Sequence, residues 1–97
     1  MVRDAMIVGR LARDPVLRET AGGELVLSLV VLVRNDGEEL RLPVSVVGSD
    51  CSALMAKLGK GDTVWVEGEQ TTGADGSMGI RCLPLDVTLM KSVLHSV

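Results

Sequence analysis

At 97 residues the chain is long enough for one domain with a single core, and 46% of it is apolar with Trp65 as the only aromatic. The formal net charge of -3 and a pI near 5.0 exclude attraction of the whole molecule to DNA or anionic lipid, so any polyanion contact has to come from a local patch. The two cysteines, Cys51 and Cys82, lie far apart in sequence and, with a lone His95, fall short of the about four ligands a zinc site needs.

The expectation for both cysteines is a buried, reduced thiol, and no cofactor pattern is present. The opening "MVRDAM" carries an acid and no sustained apolar run, unlike a signal peptide. The longest apolar run, residues 29–33, is far too short to span a bilayer. A soluble cytoplasmic protein without a membrane partner is the expectation.

Residues 6–11 read as a first strand containing Gly9, and a glycine within a strand marks a bulge or sharp bend. Asp14-Pro15 interrupts the ladder, residues 16–18 resume extended structure, and "AGGE" turns the chain. Residues 25–34 form a long second strand, and "NDGEE" is a hairpin signal. In residues 39–47, Leu40, Leu42, Val44 and Val46 alternate against Arg41, Pro43, Ser45 and Val47.

Ser49 or Asp50 can cap a helix with Leu54, Met55 and Leu58 on one stripe, ended by Gly59 and Gly61. Residues 63–69 read as a fourth strand with Val64 and Val66 inward and Trp65 outward. "TTGADGS" is a second hairpin turn, and residues 78–90 hold a fifth strand interrupted at Pro84. The many β-branched residues favour strands. Five strands with one helix between the third and fourth is the order of an OB-fold, a five-stranded Greek-key barrel, here a single domain over residues 1–97. A small β-sandwich is the competing architecture, but it leaves the helix without a role.

The run "IVGRLARDPVLRETAGGE" resembles the opening of bacterial single-stranded DNA-binding proteins, and "KLGKGDTVWVEGEQTT" resembles their helix exit and fourth strand. "LRLPVSVVGSD" looks more like the third strand of the related primosomal replication protein N. The likeness reaches from Arg3 to about Met90, and it implies an oligomeric OB-fold that holds single strands on its outer sheet, with aromatic stacking platforms. Against that pattern the chain has Arg41 where a Trp usually stands early in the third strand, and Val47 where a Phe often stands near its end. Base–aromatic stacking contributes about 1–3 kcal/mol per base, so two missing platforms remove roughly 2–6 kcal/mol. The C-terminal "MKSVLHSV" also lacks the acidic tail through which the replicative proteins are expected to recruit partners.

Candidate nucleic-acid contacts are Arg10, Arg18, Arg34, Arg41, Lys60, Arg81 and Trp65. Guanidinium groups pair with phosphate and stack on bases, although charged residues are also ordinary on a solvated sheet face. Arg13, beside Asp14, reads as a surface charge. Trp65 is either a stacking platform or an oligomer contact. Glu67 and Glu69 share its parity and oppose phosphate unless Gly68 introduces a bulge.

The second strand is apolar on both faces: Leu25, Leu27, Leu29 and Val31 on one, Val26, Val30 and Leu32 on the other. One barrel has one interior, so the second face needs cover. A homodimer or homotetramer with Ile7, Val26, Val30 and Leu32 at its interface supplies it, and the C-terminal "VLHSV" is the alternative cover.

No nucleophile stands beside a base at a catalytic spacing, and "GKGD" lacks the P-loop pattern, so the chain does not read as an enzyme. The expected function is sequence-independent binding of single-stranded DNA in replication, restart, repair or recombination. The alternative is an OB-fold adaptor of the primosome or replisome that contacts a helicase or other replication protein.

Overall fold

The computed structural model describes residues 4–90. Strands β1 (Ala5–Leu11), β2 (Val16–Glu19), β3 (Leu25–Asn35) and β4 (Glu38–Val47) precede helix α1 (Cys51–Met55). Strand β5 (Thr63–Thr72), strand β6 (Met78–Cys82), a single 3-10 turn (Pro84–Asp86) and strand β7 (Val87–Met90) follow. The sheet runs β1-β3-β4-β6-β5 and closes on itself because β1 also pairs with β5. Every neighbouring pair is antiparallel except β4 with β6. The result is the five-position barrel of an OB-fold, in which β1 and β2 share one position against β3, and β6 and β7 share another against β5.

The split in the fifth position falls at Pro84, and the split in the first falls at residues 12–15. Pro84 cannot donate to a ladder, and the Asp86 carboxylate takes the Leu83 N–H at 3.1 Å to fix the 3-10 turn. The β3–β4 hairpin turns on Asp36 (φ 52°) and Gly37 (φ 81°), both left-handed, as a two-residue type I′ connection demands.

Alternation along each strand fills the barrel. Leu27, Leu29 and Val31 of β3 meet Val46, Val44 and Leu42 of β4, and Val64 and Val66 of β5 point to the same interior. Leu11, Ile80, Cys82 and Val87 complete the core. The helix closes one end more briefly than its sequence stripe implies. Lys57 and Leu58 donate to Leu54 and Met55, a tightening that ends α1 at Met55 rather than at Gly59. Asp50 occupies the cap position without a side-chain cap bond, and Met55 is exposed. The buried anchors are Cys51 and Leu58; the Cys51 Sγ donates to the Val46 carbonyl at 3.2 Å.

Two glycines owe their place to close approach rather than to bulges. The β1–β5 register passes without interruption through Gly9, opposite Val64, and ends at Gly68, opposite Ala5. A Cβ on Gly9 would overlap the Leu32 carbonyl oxygen of β3. One on Gly68 would overlap the Arg81 carbonyl oxygen and come within 2.8 Å of the Cys82 Cβ. Beyond Leu11 the chain bends at residues 12–13 before β2 begins.

Candidate nucleic-acid interface

Residues paired across a ladder share a face, so the registers place every outward side chain. On the outside of the barrel Thr63, Arg10, Leu32 and Arg41 form one row across β5, β1, β3 and β4. Trp65 is the next outward residue after Thr63 and stands between Val8 of β1 and Thr88 of β7. A continuous strip therefore runs from Arg41 over Leu32 and Arg10 to the exposed indole of Trp65.

A second row joins Val16, Ser28, Ser45, Arg81 and Glu69 across β2, β3, β4, β6 and β5. Arg18 stands one outward position from Val16, opposite Val26, and its Nη2 donates to the Ser28 Oγ at 3.4 Å. The two rows are about 13 Å apart along β4, the distance from Arg41 to Ser45 at about 3.3 Å per residue. Val30 and Pro43 lie between them. Arg10, Arg18, Arg41 and Arg81 thus border one sheet face, and all four are exposed.

Other sequence candidates fall elsewhere. Arg34 projects on the outer part of the β3–β4 hairpin, directly opposite Glu39. Lys60 sits in the loop before β5; its N–H donates to the Asp14 carboxylate at 2.8 Å, which ties that loop to the bend between β1 and β2. The Gly59 N–H donates to the Asp62 carboxylate at 2.9 Å in the same loop. Arg13 is exposed in the bend beside Asp14.

Acids shape the field of this face. No bulge at Gly68 turns Glu67 and Glu69 away, so both remain on the side of Trp65. At the β5–β6 hairpin tip, Asp75 accepts from the Ser77 Oγ at 2.6 Å and its N–H at 3.0 Å, and these bonds hold its carboxyl below the usual range. That tip carries fixed negative charge and no ring.

Of the apolar candidates, Val26, Val30 and Leu32 lie half-buried on the outer face of β3. Ile7 points the other way, against the core, because it shares a face with Val66. The exposed apolar side chains of β1 are Met6 (60%) and Val8 (44%), next to Trp65 (39%). Pairing of β1 with β3 covers only Arg10 and Leu11, so residues 5–8 have β5 on one edge and no strand partner on the other among the described residues. His95 and the "VLHSV" segment lie outside the described residues.

Cys51 and Cys82 are both buried free thiols, as expected from the sequence. Burial raises both thiols, and Cys82 is pushed up to about 12, which leaves it a poor nucleophile. Among the described residues no group of three or more His, Cys, Asp or Glu side chains could hold a metal ion. Nor is any helix there long and apolar enough to cross a membrane.

Comparisons with known proteins agree with this architecture. A crystal structure of a deletion mutant of the single-stranded DNA binding protein from Thermus aquaticus superposes with a TM-score of 0.77 at 24% identity, over 94% of this chain. The chain spans 42% of the length of that protein. The second single-stranded DNA binding protein of Mycobacterium smegmatis gives a TM-score of 0.69 at 24% identity, covering 96% of this chain and 90% of the other. No curated protein sequence is significantly similar to the chain. Residues 2–75 match the family model described as "Single-strand binding protein family", and the chain belongs to that family.

Proposed function

We propose that the chain binds single-stranded DNA without sequence preference, on the outer face bordered by Arg10, Arg18 and Arg41 and reaching Trp65. The observation that carries this reading is the strip itself, Arg41 and Arg10 with uncharged ladder partners leading to the indole of Trp65, with Arg18, also opposed by an uncharged residue, farther along the same sheet face. Phosphate contact supplies most of the affinity of such a face, and guanidinium planes and the indole supply sequence-tolerant stacking. Family membership supports the same ligand and a place in replication, restart, repair or recombination in the cytoplasm.

The functional unit in this reading is a homo-oligomer. Among the described residues the outer edge of β1 has no strand partner beside Met6 and Val8, and a second copy of the same strand satisfies both the edge and the apolar side chains.

Titration of the full chain with oligo-dT at low salt tests the binding. Trp65 fluorescence should be quenched, and log K should fall with log salt at a slope of roughly -2 to -3.5, for three to five phosphate contacts. Unchanged fluorescence together with a flat salt response would overturn the reading.

A further inference from the structure

The outward arginines divide into two groups by what stands across the ladder. Arg10 is opposed by Leu32 and Thr63, Arg18 by Val26, and Arg41 by Leu32, all uncharged. Arg34 is opposed by Glu39, and Arg81 by Glu69. Directly opposed side chains have Cβ atoms about 4.5–5.5 Å apart, close enough for opposite charges to interact even when both are solvated. Glu39 is also the outward residue just before Arg41 on β4, and Glu67 is the one just after Trp65 on β5. Carboxylates therefore stand at the margins of the strip, while its middle is free of them.

Building on the proposed single-strand binding, we propose that Glu39 and Glu69 are specificity-determining residues that limit affinity and fix the path of the strand. Each glutamate competes with phosphate for the arginine across the ladder and repels a backbone that approaches it. The strand is thereby confined to Arg10, Arg18, Arg41 and Trp65, and Arg34 and Arg81 are withheld from it. A grip built on fewer phosphates loses less on release. The arrangement also accounts for the presence of exposed arginines on a sheet that has acids at matching ladder positions.

Anisotropy of a labelled oligo-dT with the full chain at low salt tests the proposal. Glu69→Gln and Glu39→Gln should each tighten binding roughly two- to fivefold, the scale of one solvent-exposed charge–charge interaction. Each should steepen the salt slope by about 0.7, one additional phosphate contact on a single strand. The gain from Glu69→Gln should vanish in an Arg81→Ala background, and that from Glu39→Gln should fall sharply with Arg34→Ala. Glutamine variants that bind no tighter than the parent overturn the proposal while leaving single-strand binding intact. A gain that persists without the paired arginine also overturns it, because net charge alone then explains the change. A parent that binds no oligo-dT at any salt removes the underlying function and the proposal with it.

Discussion

Arg10 and Trp65 are diagonal neighbours on the outside of the barrel: Arg10 stands opposite Thr63, and Trp65 is the next outward residue on that strand. Diagonal positions on paired strands lie about 7–8 Å apart, a span that one nucleotide can bridge with its phosphate on the guanidinium and its base on the indole. Arg10→Ala should therefore reduce both affinity and the quench of Trp65 at saturation. Trp65→Ala should weaken binding about fivefold to hundredfold, the loss of one stacked base. A Trp65 that stays fully emissive with DNA bound would place the strand elsewhere.

Arg41 occupies the far end of the same strip, with Leu32 between it and Arg10. Arg41→Lys keeps the charge but loses the flat guanidinium, and binding should weaken about two- to fivefold at moderate salt. Arg41→Ala should weaken it further. Equal binding by the Lys variant would leave Arg41 as a diffuse charge.

Self-association should rest on β1. Sedimentation of the parent at micromolar concentration should show a dimer or tetramer, and Val8→Asp should dissociate it by placing a charge beside the open edge. Ile7→Asp, by contrast, should unfold the chain, since that side chain packs on the core. A monomeric parent would mean that the open edge is covered in another way.

The Cys82 thiol makes stability fall in alkali. Its folded value of about 12 lies above the ordinary 9.0, so the unfolded state loses the proton first as pH rises. The stabilising share is intact below about pH 9 and is lost progressively between 9 and 12. Urea unfolding at stepped pH should show this decline for the parent, and a flatter profile for Cys82→Ala measured against its own neutral value.

The barrel was legible in the sequence because alternation and turn chemistry agree in most segments. Val64, Val66, Val44 and Val46 are inward as the period of two requires, and "NDGEE" turns where its Asp-Gly pair says it should. The helix was less legible, since Leu54, Met55 and Leu58 make a credible stripe, while the tighter bonds from Lys57 to Leu54 and from Leu58 to Met55 end it after little more than one turn. The arginine face was legible only in part. Residue type marks Arg10 and Arg41 as candidates, but their common neighbour Leu32 and the glutamates opposite Arg34 and Arg81 follow from ladder register, which no local pattern encodes. Ile7 was misplaced for a related reason: on a strand of a closed barrel only the parity relative to a paired strand separates inside from outside.

Closure of the barrel by β1 against β5 has a kinetic consequence. The Gln70 N–H donates to the Asp4 carboxylate 66 positions away, and the Lys60 N–H reaches Asp14 across 46. The β3–β4 hairpin, by contrast, is joined by two residues and can zip up within microseconds. The seam between β1 and β5 bears a large loop-closure entropy, and chains dominated by such distant pairings fold in milliseconds to seconds. Gly37→Ala should then slow refolding, because it strains a turn formed early, whereas Ile7→Val should chiefly hasten unfolding. Until that seam zips, residues 5–9 of β1 expose both edges of an apolar segment, one of them the edge by which two finished copies would meet.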